Sequence, residues 1–526
     1  MTVREATRHV MRKLGMITVF GNPGSTELPF LQDWPDDFDY VLGLQELSVV
    51  AMADGYAQAT GRAALVNLHS AVGVGHAMGS IYTAFLNQTP LVITAGQQAR
   101  ELLPWRPFLG SPQATELPRP HVKWAIEPAR AEDVPLAILQ AYTMAMQPPR
   151  GPVLVSIPSD DWDRPAKVPM ILPQHFQSAP PESAISEICA ALETAQNPAL
   201  ILGPGVARDG ARLRAIALAE RIGAIAYTAP MASRSVFDET HSLFGGHLPA
   251  APKPLFHMLK PHDLILAIGA PVFAFHVQGD LGAFADLAPI YQIDDNPMTT
   301  ATAHTATSTV GSPGLAIDAL LSKATIKTAS PPRRHKPVAQ PSEDLTADQV
   351  FAELARSLKP NTAIVEEAPS HKDAFRALVP LGLDTEYFAM SSGGLGFALP
   401  AAAGLALSGQ FDRIVAVIGD GSAMYSTQAL WTIAQRALPV TLIILNNGGY
   451  GAMRSFSRIL NSGPVPGIDI DGLDFCGLAQ SHGVPASVAT TTESFGAVLM
   501  QAQNSNGPYL IEAQVEHLVK DLYDLR

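Results

Sequence analysis

At 526 residues the chain is longer than one hydrophobic core usually serves, so several domains are expected. With 47% apolar and 16% charged residues it is a packed globule and neither a disordered nor a fibrous chain. A formal net charge of −13, with no basic stripe to offset it, argues against nucleic acid as a partner. Two cysteines, Cys189 and Cys476, exclude a disulfide framework and a Cys-based zinc site and suit a reducing compartment. The stretch MTVREATRHVMRKLG lacks the apolar core of a signal peptide, and no run of about eighteen apolar residues is present to span a membrane. The expectation is a cytoplasmic protein without a membrane partner.

In chain order, a helix over VREATRHVMRKLG precedes strand ITVFG. The strands YVLGL, AALVNLH, PLVITAG and PVLVSIP follow, with helical stretches between them. The segment 160–182 is proline-rich and reads as a joint. Beyond it PALILGPGV, AIAYTAP, DLILAIGAP and APIYQID are strands of a second α/β unit, with a helix over ARLRAIALAERIG. The Gly203-Pro204-Gly205 turn lacks the full GxGxxG spacing and an acid placed for a ribose, so it reads as a tight turn and not as a nucleotide loop. A second proline-rich joint covers 327–344, and its basic run PPRRHKP reads as solvated linker. The last block repeats the style with AIVEE, IVAVIGD, VTLIILNN, PASVAT and YLIEAQV. These continuous apolar runs predict buried parallel strands, hence three doubly wound α/β domains over 1–165, 183–326 and 345–526.

Two adjacent strands of the last block end in polar groups. IVAVIGD runs into Gly421-Ser422, and VTLIILNN runs into Gly448-Gly449. Polar groups at the carboxyl ends of neighbouring parallel strands face the crevice in which open α/β sheets bind ligands. Asp420 offers a carboxylate oxygen and Asn447 an amide oxygen. That hard-donor pair suits Mg²⁺, or Ca²⁺, shared with a phosphate. Glycines let the backbone come close, and a helix after Ser422 is expected to present free N–H groups to the anion.

GDGS, a helix-length segment and then NN is the signature of thiamine diphosphate enzymes, which the chain resembles over essentially its whole length. The resemblance implies a pyrimidine-binding, a middle and a diphosphate-binding domain. It also implies a cofactor held between two subunits, so a homo-oligomer of at least two chains and, in the family, four. By that resemblance Asp420, Asn447 and the carbonyl of Gly449 ligate the metal, while Gly421, Ser422, Tyr450 and Ser370 belong to the cofactor site. Glu46, opening the Ala-rich helix after VLGL, hydrogen-bonds the pyrimidine. Leu395 in SSGGLGFALP bends the cofactor, and Gly393 offers its carbonyl to the amine.

The stretches GNPGSTELPF, NLHSAVG, LPRPHVKW, GAPVFAFH and GGLGFALPAA resemble benzoylformate decarboxylases in particular. That likeness implies Ser25, His69 and His276 as substrate-handling residues, and Pro23, Ala452, Phe456 and Ile468 as pocket lining. The implied reaction is non-oxidative decarboxylation of an aryl or bulky 2-oxo acid to an aldehyde, with carboligation on the same cofactor as the alternative. The chain departs from that pattern in three places. Pro369, Ser370 and His371 stand where a run of small hydroxyl residues is expected, Ser455 stands where an aromatic is expected, and Ala389 replaces a bulkier aromatic, which predicts a roomier pocket.

Overall fold

A computed structural model describes residues 1–328, 331–332, 337–517 and 519–523. Arg333 to Lys336, the charged part of the linker read as solvated, lie outside the described residues.

The chain forms three sheets of six strands, and every pairing within them is parallel. The first holds β1 (Thr18–Gly21), β2 (Asp39–Leu42), β3 (Ala64–Leu68), β4 (Leu91–Gln97), β5 (Ala125–Ile126) and β6 (Pro152–Pro158), in the order β2-β1-β3-β4-β6-β5. The middle sheet holds β7 (Pro198–Leu202), β8 (Ile225–Thr228), β9 (Phe244–His247), β10 (Leu264–Ile268), β11 (Ile290–Asp294) and β12 (Thr307–Val310), ordered β12-β11-β10-β7-β8-β9. The last holds β13 (Thr362–Glu367), β14 (Thr385–Ala389), β15 (Arg413–Gly419), β16 (Val440–Asn446), β17 (Ala486–Ala489) and β18 (Tyr509–Gln514), ordered β14-β13-β15-β16-β18-β17.

The outer sheets share one topology. In each, the chain reverses its direction of winding between the first and third strands, and a crevice opens there beyond the strand ends. In the first sheet that crevice lies between the loops after β1 and β3; in the last it lies between those after β13 and β15. The middle sheet switches between β7 and β10, where the backbone closes the gap. The Gly203 N–H donates to the Ile268 carbonyl at 3.0 Å, and a Cβ on Gly203 would sit 2.2 Å from the Gly269 oxygen. The GPG turn is thus a backbone contact.

The middle domain has its own apolar core, whereas one continuous core runs through both outer domains. The junction is a crossing of the Glu46–Thr60 and Ala398–Leu407 helices, both rich in small residues. A Cβ on Gly404 would lie 1.8 Å from the Met52 carbonyl oxygen, and one on Gly55 would lie 2.4 Å from that of Ala401. The helices therefore touch backbone to backbone. Gly404→Val is expected to force them apart and cost about 3 kcal/mol or more, as overpacking against immovable backbone does. Thermal unfolding should show a melting temperature lowered by several degrees, and an unchanged one would refute this packing.

Candidate active site

The loops after β15 and β16 are joined by Asp420. Its Oδ1 accepts the Gly421 N–H at 2.7 Å and its Oδ2 the Gly449 N–H at 2.8 Å. Burial raises the Asp420 carboxyl above the ordinary carboxylate range, and those backbone donors oppose the shift. Asn447 is 5% exposed, and its Oδ1 is buried with no hydrogen-bond partner among the described residues, while its Nδ2 donates to His371 Nε2 at 3.3 Å. An orphaned buried amide oxygen costs roughly 1–3 kcal/mol unless something completes it. Among the described residues no group of three His, Cys, Asp or Glu could hold a metal. A cation at this point would rely on one carboxylate, one amide oxygen and a backbone carbonyl, a hard-oxygen set that suits Mg²⁺ sharing phosphate oxygens. The donors present fit the group.

Space around the loop is rationed. Gly449 has φ +145°, and a Cβ there would lie 2.3 Å from the Ile468 carbonyl oxygen. The Tyr450 ring occupies the place a Cβ on Gly421 would need. The helix expected after Ser422 instead begins at Asp420 and runs only to Ala423, so Ser422 lies inside it. Ser370, on the loop after β13, is brought to the same point: its Oγ and Asn447 Nδ2 would each lie 2.8 Å from a Cβ on Gly451. Arg454, which sequence reasoning did not select, holds the loop in shape. It donates to the carbonyls of Asn447 (3.1 Å), Gly448 (2.7 Å) and His517 (3.2 Å), and pairs with Asp469 at 2.7 Å.

Glu367 fixes the turn that carries Leu395. Its two carboxylate oxygens accept the N–H groups of Gly396 and Ala398, each at 2.6 Å. Burial pushes this carboxyl up to about 7 against the pull of those donors. Leu395 is half-buried, and Gly393 takes the left-handed conformation at φ +72°.

In the first domain Glu46 is the first residue of its helix and is largely buried. Asn22 Nδ2 approaches its Oε1 at 3.4 Å, and His76 Nδ1 its Oε2 at 3.1 Å. The loops flanking the β1/β3 crevice meet through Glu27, which is 1% exposed. Its Oε2 accepts the Gly24 N–H and contacts His69 Nδ1, both at 2.8 Å. With Nδ1 engaged, His69 Nε2 has no hydrogen-bond partner among the described residues. Ser25 and Pro23 are exposed on that loop.

A cavity of about 1320 Å³ lies between the middle and last domains, lined by His276, Ala452, Phe456, Gly393 and Tyr523 among others. His276 packs edge-on against Phe456 (5.2 Å between ring centroids) and its Nδ1 is 3.0 Å from the Tyr523 hydroxyl. Glu46, Ser25, His69 and Pro23 do not line this cavity, and Ile468 meets the Gly449–Tyr450 backbone instead of facing it. Two expectations are corrected. Ala389 does not widen the pocket, because it is 1% exposed and packs into the last domain's core, while Met390 faces the cavity. Ser455 is not a vacated aromatic position: it is fully buried, and its Oγ accepts the Leu522 N–H at 2.9 Å, which brings Tyr523 to His276.

Residues 1–116, 185–320 and 370–513 match, in turn, the N-terminal TPP binding domain, the central domain and the C-terminal TPP binding domain of the thiamine pyrophosphate enzymes. A benzoylformate decarboxylase of Pseudomonas aeruginosa is 42% identical, over 98% of this chain and 99% of its own. The chain belongs to the thiamine pyrophosphate enzymes, in the benzoylformate decarboxylase family. A solved 4-hydroxybenzoylformate decarboxylase of Rhodococcus jostii RHA1 superposes with a TM-score of 0.93 at 40% identity, over 98% of this chain and 99% of that one. The acetolactate synthase large subunit of Parasynechococcus marenigrum stands further off, at 26% identity over 97% of this chain and 87% of its own. No helix among the described residues is long and apolar enough to cross a membrane.

Glu367 makes stability depend on pH in a defined direction. Its folded value near 7 lies above the ordinary 4.5, so the folded state keeps a proton that the unfolded chain loses. Its contribution is full below about 4.5 and is lost as pH rises to 7. Glu367→Gln is expected to lose this slope. It should also cost about 1–3 kcal/mol at pH 5, because an amide NH₂ cannot accept the second N–H. Urea unfolding of both proteins from pH 4.5 to 8 checks it; parallel curves would contradict it.

Proposed function

We propose that this chain decarboxylates an aryl or similarly bulky 2-oxo acid of the benzoylformate type to the aldehyde and carbon dioxide, with thiamine diphosphate and Mg²⁺, or Ca²⁺. The observation that carries the reading is likeness through the whole length at 42% identity to a benzoylformate decarboxylase, against 26% to an acetolactate synthase. The more distant standing of the synthase favours decarboxylation over carboligation as the main reaction. 4-Hydroxybenzoylformate falls within the same class of substrate.

When bound, thiamine diphosphate supplies the nucleophilic carbon and the electron sink for loss of carbon dioxide. Asp420 Oδ, Asn447 Oδ1 and the Gly449 carbonyl hold the divalent ion. Gly421, Ser422, Ser370 and Tyr450 would hold the diphosphate, and Leu395 and the Gly393 carbonyl would support the rings. Glu46 would hydrogen-bond the pyrimidine as a carboxyl able to hold a proton there. This glutamate does not line the cavity that holds His276 and Phe456, which supports a site completed by a second copy, in a homodimer or a pair of dimers in the cytoplasm.

The reaction consumes one proton per turnover, and two imidazoles are available to move it. Glu27 fixes His69 through Nδ1, so Nε2 faces the substrate oxygen and protonates it. Tyr523 fixes His276 in the same way, leaving its Nε2 to deliver the proton that ends on the aldehyde carbon. Ser25 holds the carboxylate before it leaves. Ala452 and Phe456 shape the aryl pocket, with Pro23 added by the second copy.

Carbon dioxide and benzaldehyde released from benzoylformate, only with thiamine diphosphate and Mg²⁺ added, are the expected products; none would end the proposal. Glu46→Gln should bind the cofactor yet slow hydrogen exchange at the thiazolium carbon roughly a hundredfold or more, whereas Asp420→Ala should lose tight cofactor binding. Each variant alone is inactive. Co-expressed, they form mixed dimers with one intact site, and activity returns. Failure of that rescue would place a complete site within one chain.

A further inference from the structure

The cavity has charges that the decarboxylation chemistry leaves unused. The Lys372–Leu378 helix sets Lys372 and Arg376 one turn apart, and both face the cavity that holds His276 and Phe456. The Lys372 ammonium makes no hydrogen bond or ion pair with any described residue, although burial and then Arg376 press its value down to about 8. Arg376 donates to the Ala232 carbonyl at 3.2 Å, and its Nε is buried without an acceptor. The nearby acids are engaged elsewhere. Glu366 accepts the Ala368 N–H and the Tyr387 hydroxyl, and Glu239 accepts the Leu381 N–H and lies 3.4 Å from His247. Asp373 is exposed and makes no ion pair with Lys372. Glu366 and Asp373 attract Lys372 only at a distance, and a half-buried cation that no carboxylate contacts pays a desolvation cost that an arriving anion recovers.

Two further features indicate which anion. The cavity, about 1320 Å³, exceeds the roughly 300–1,000 Å³ typical of small-molecule pockets, so an unsubstituted aryl acid leaves room beyond its ring. Ser370, beside Asn447, does not line the cavity, whereas Lys372 does. Lys372 is therefore a residue of the cavity wall, as Ser370 at the metal loop is not.

We infer that Lys372, seconded by Arg376, holds an anionic group at the end of the substrate remote from its 2-oxo acid, so that the preferred substrate carries a second carboxylate. This rests on the decarboxylase reading above. The test compares kcat/KM of the holoenzyme for benzoylformate, 4-methylbenzoylformate and 4-carboxybenzoylformate. The wild type is expected to favour the carboxy over the methyl compound about tenfold or more, the scale of one charge-assisted hydrogen bond. In Lys372→Met that ratio should fall to near one, mainly through KM, and Lys372→Arg should restore it. Each ratio is internal to one protein, so losses from misfolding cancel. A wild type indifferent to the carboxylate, or a ratio unmoved in Lys372→Met, overturns the inference while the decarboxylase reading stands. A weakened thiamine diphosphate affinity in Lys372→Met with an unmoved ratio assigns the ammonium to the diphosphate instead. No carbon dioxide from any of the three compounds removes the decarboxylase reading itself.

Discussion

Two helices of the core meet backbone to backbone, Met52 against Gly404 and Gly55 against Ala401. No side chain separates them, so their distance is set by van der Waals contact of main-chain atoms. That contact fuses two domains into one core, and it does so beside the proposed cofactor residues Glu46 and Leu395. The first helix opens on Glu46, and Leu47 beside it reaches Gly396, on the turn that carries Leu395. A side chain at Gly404 would therefore disturb the position of both elements. In the structure the small residues of these helices define a distance.

The outer domains then use one topology twice for different ends. Each places its polar residues where a parallel sheet changes winding direction, because only there do two loops diverge and leave a crevice. In the first domain the crevice holds a carboxylate and an imidazole, Glu27 and His69, joined at 2.8 Å. In the last, Asp420 stands at one edge of the crevice, and its two oxygens take backbone N–H groups from its own loop after β15 and from the neighbouring loop after β16. Both acids are tied by their own loops before any ligand arrives, which lowers the cost of ordering the site on binding. The middle sheet has the corresponding crevice, but Gly203 and Gly269 close it, so shared architecture does not carry shared chemistry.

Much of this was legible in the sequence, and what was not has a physical cause. The interior strands were readable as continuous apolar runs because both of their faces are buried. The strands that escaped, β5, β9, β12 and β14, all lie at sheet edges. There one flank is open, the run is short or broken, and glycine (FGGH) or hydroxyl residues (TSTV) replace the apolar pattern. The placing of Asp420 and Asn447 at the ends of the neighbouring strands β15 and β16 was readable because apolar run and polar end coincide in one motif. Arg454, Glu367 and Tyr523 were not, since each acts through partners distant in sequence or through backbone groups that no pattern displays. Ala389 was misread for a related reason. A strand alternates its faces, and the residue that meets the cavity is its neighbour, Met390.

The loop after β13 shows how a departure from a family pattern can be absorbed. Where small hydroxyl residues are expected, His371 is 7% exposed, and burial lowers its imidazole to about 4, so it is neutral near pH 7. A neutral ring has one nitrogen that accepts and one that donates. Nε2 is the acceptor here, because it faces the Asn447 amide N–H at 3.3 Å. An imidazolium at that place would donate from Nε2 and favour the flipped amide, turning Asn447 Nδ2 toward the metal position. Burial thus does two things at once: it keeps the histidine uncharged, and through that it keeps Asn447 Oδ1 pointed away from the ring, unpartnered and open to a cation. A hydroxyl could make the same hydrogen bond, but it could also rotate to donate. The imidazole gives up that freedom, and the amide gains one orientation.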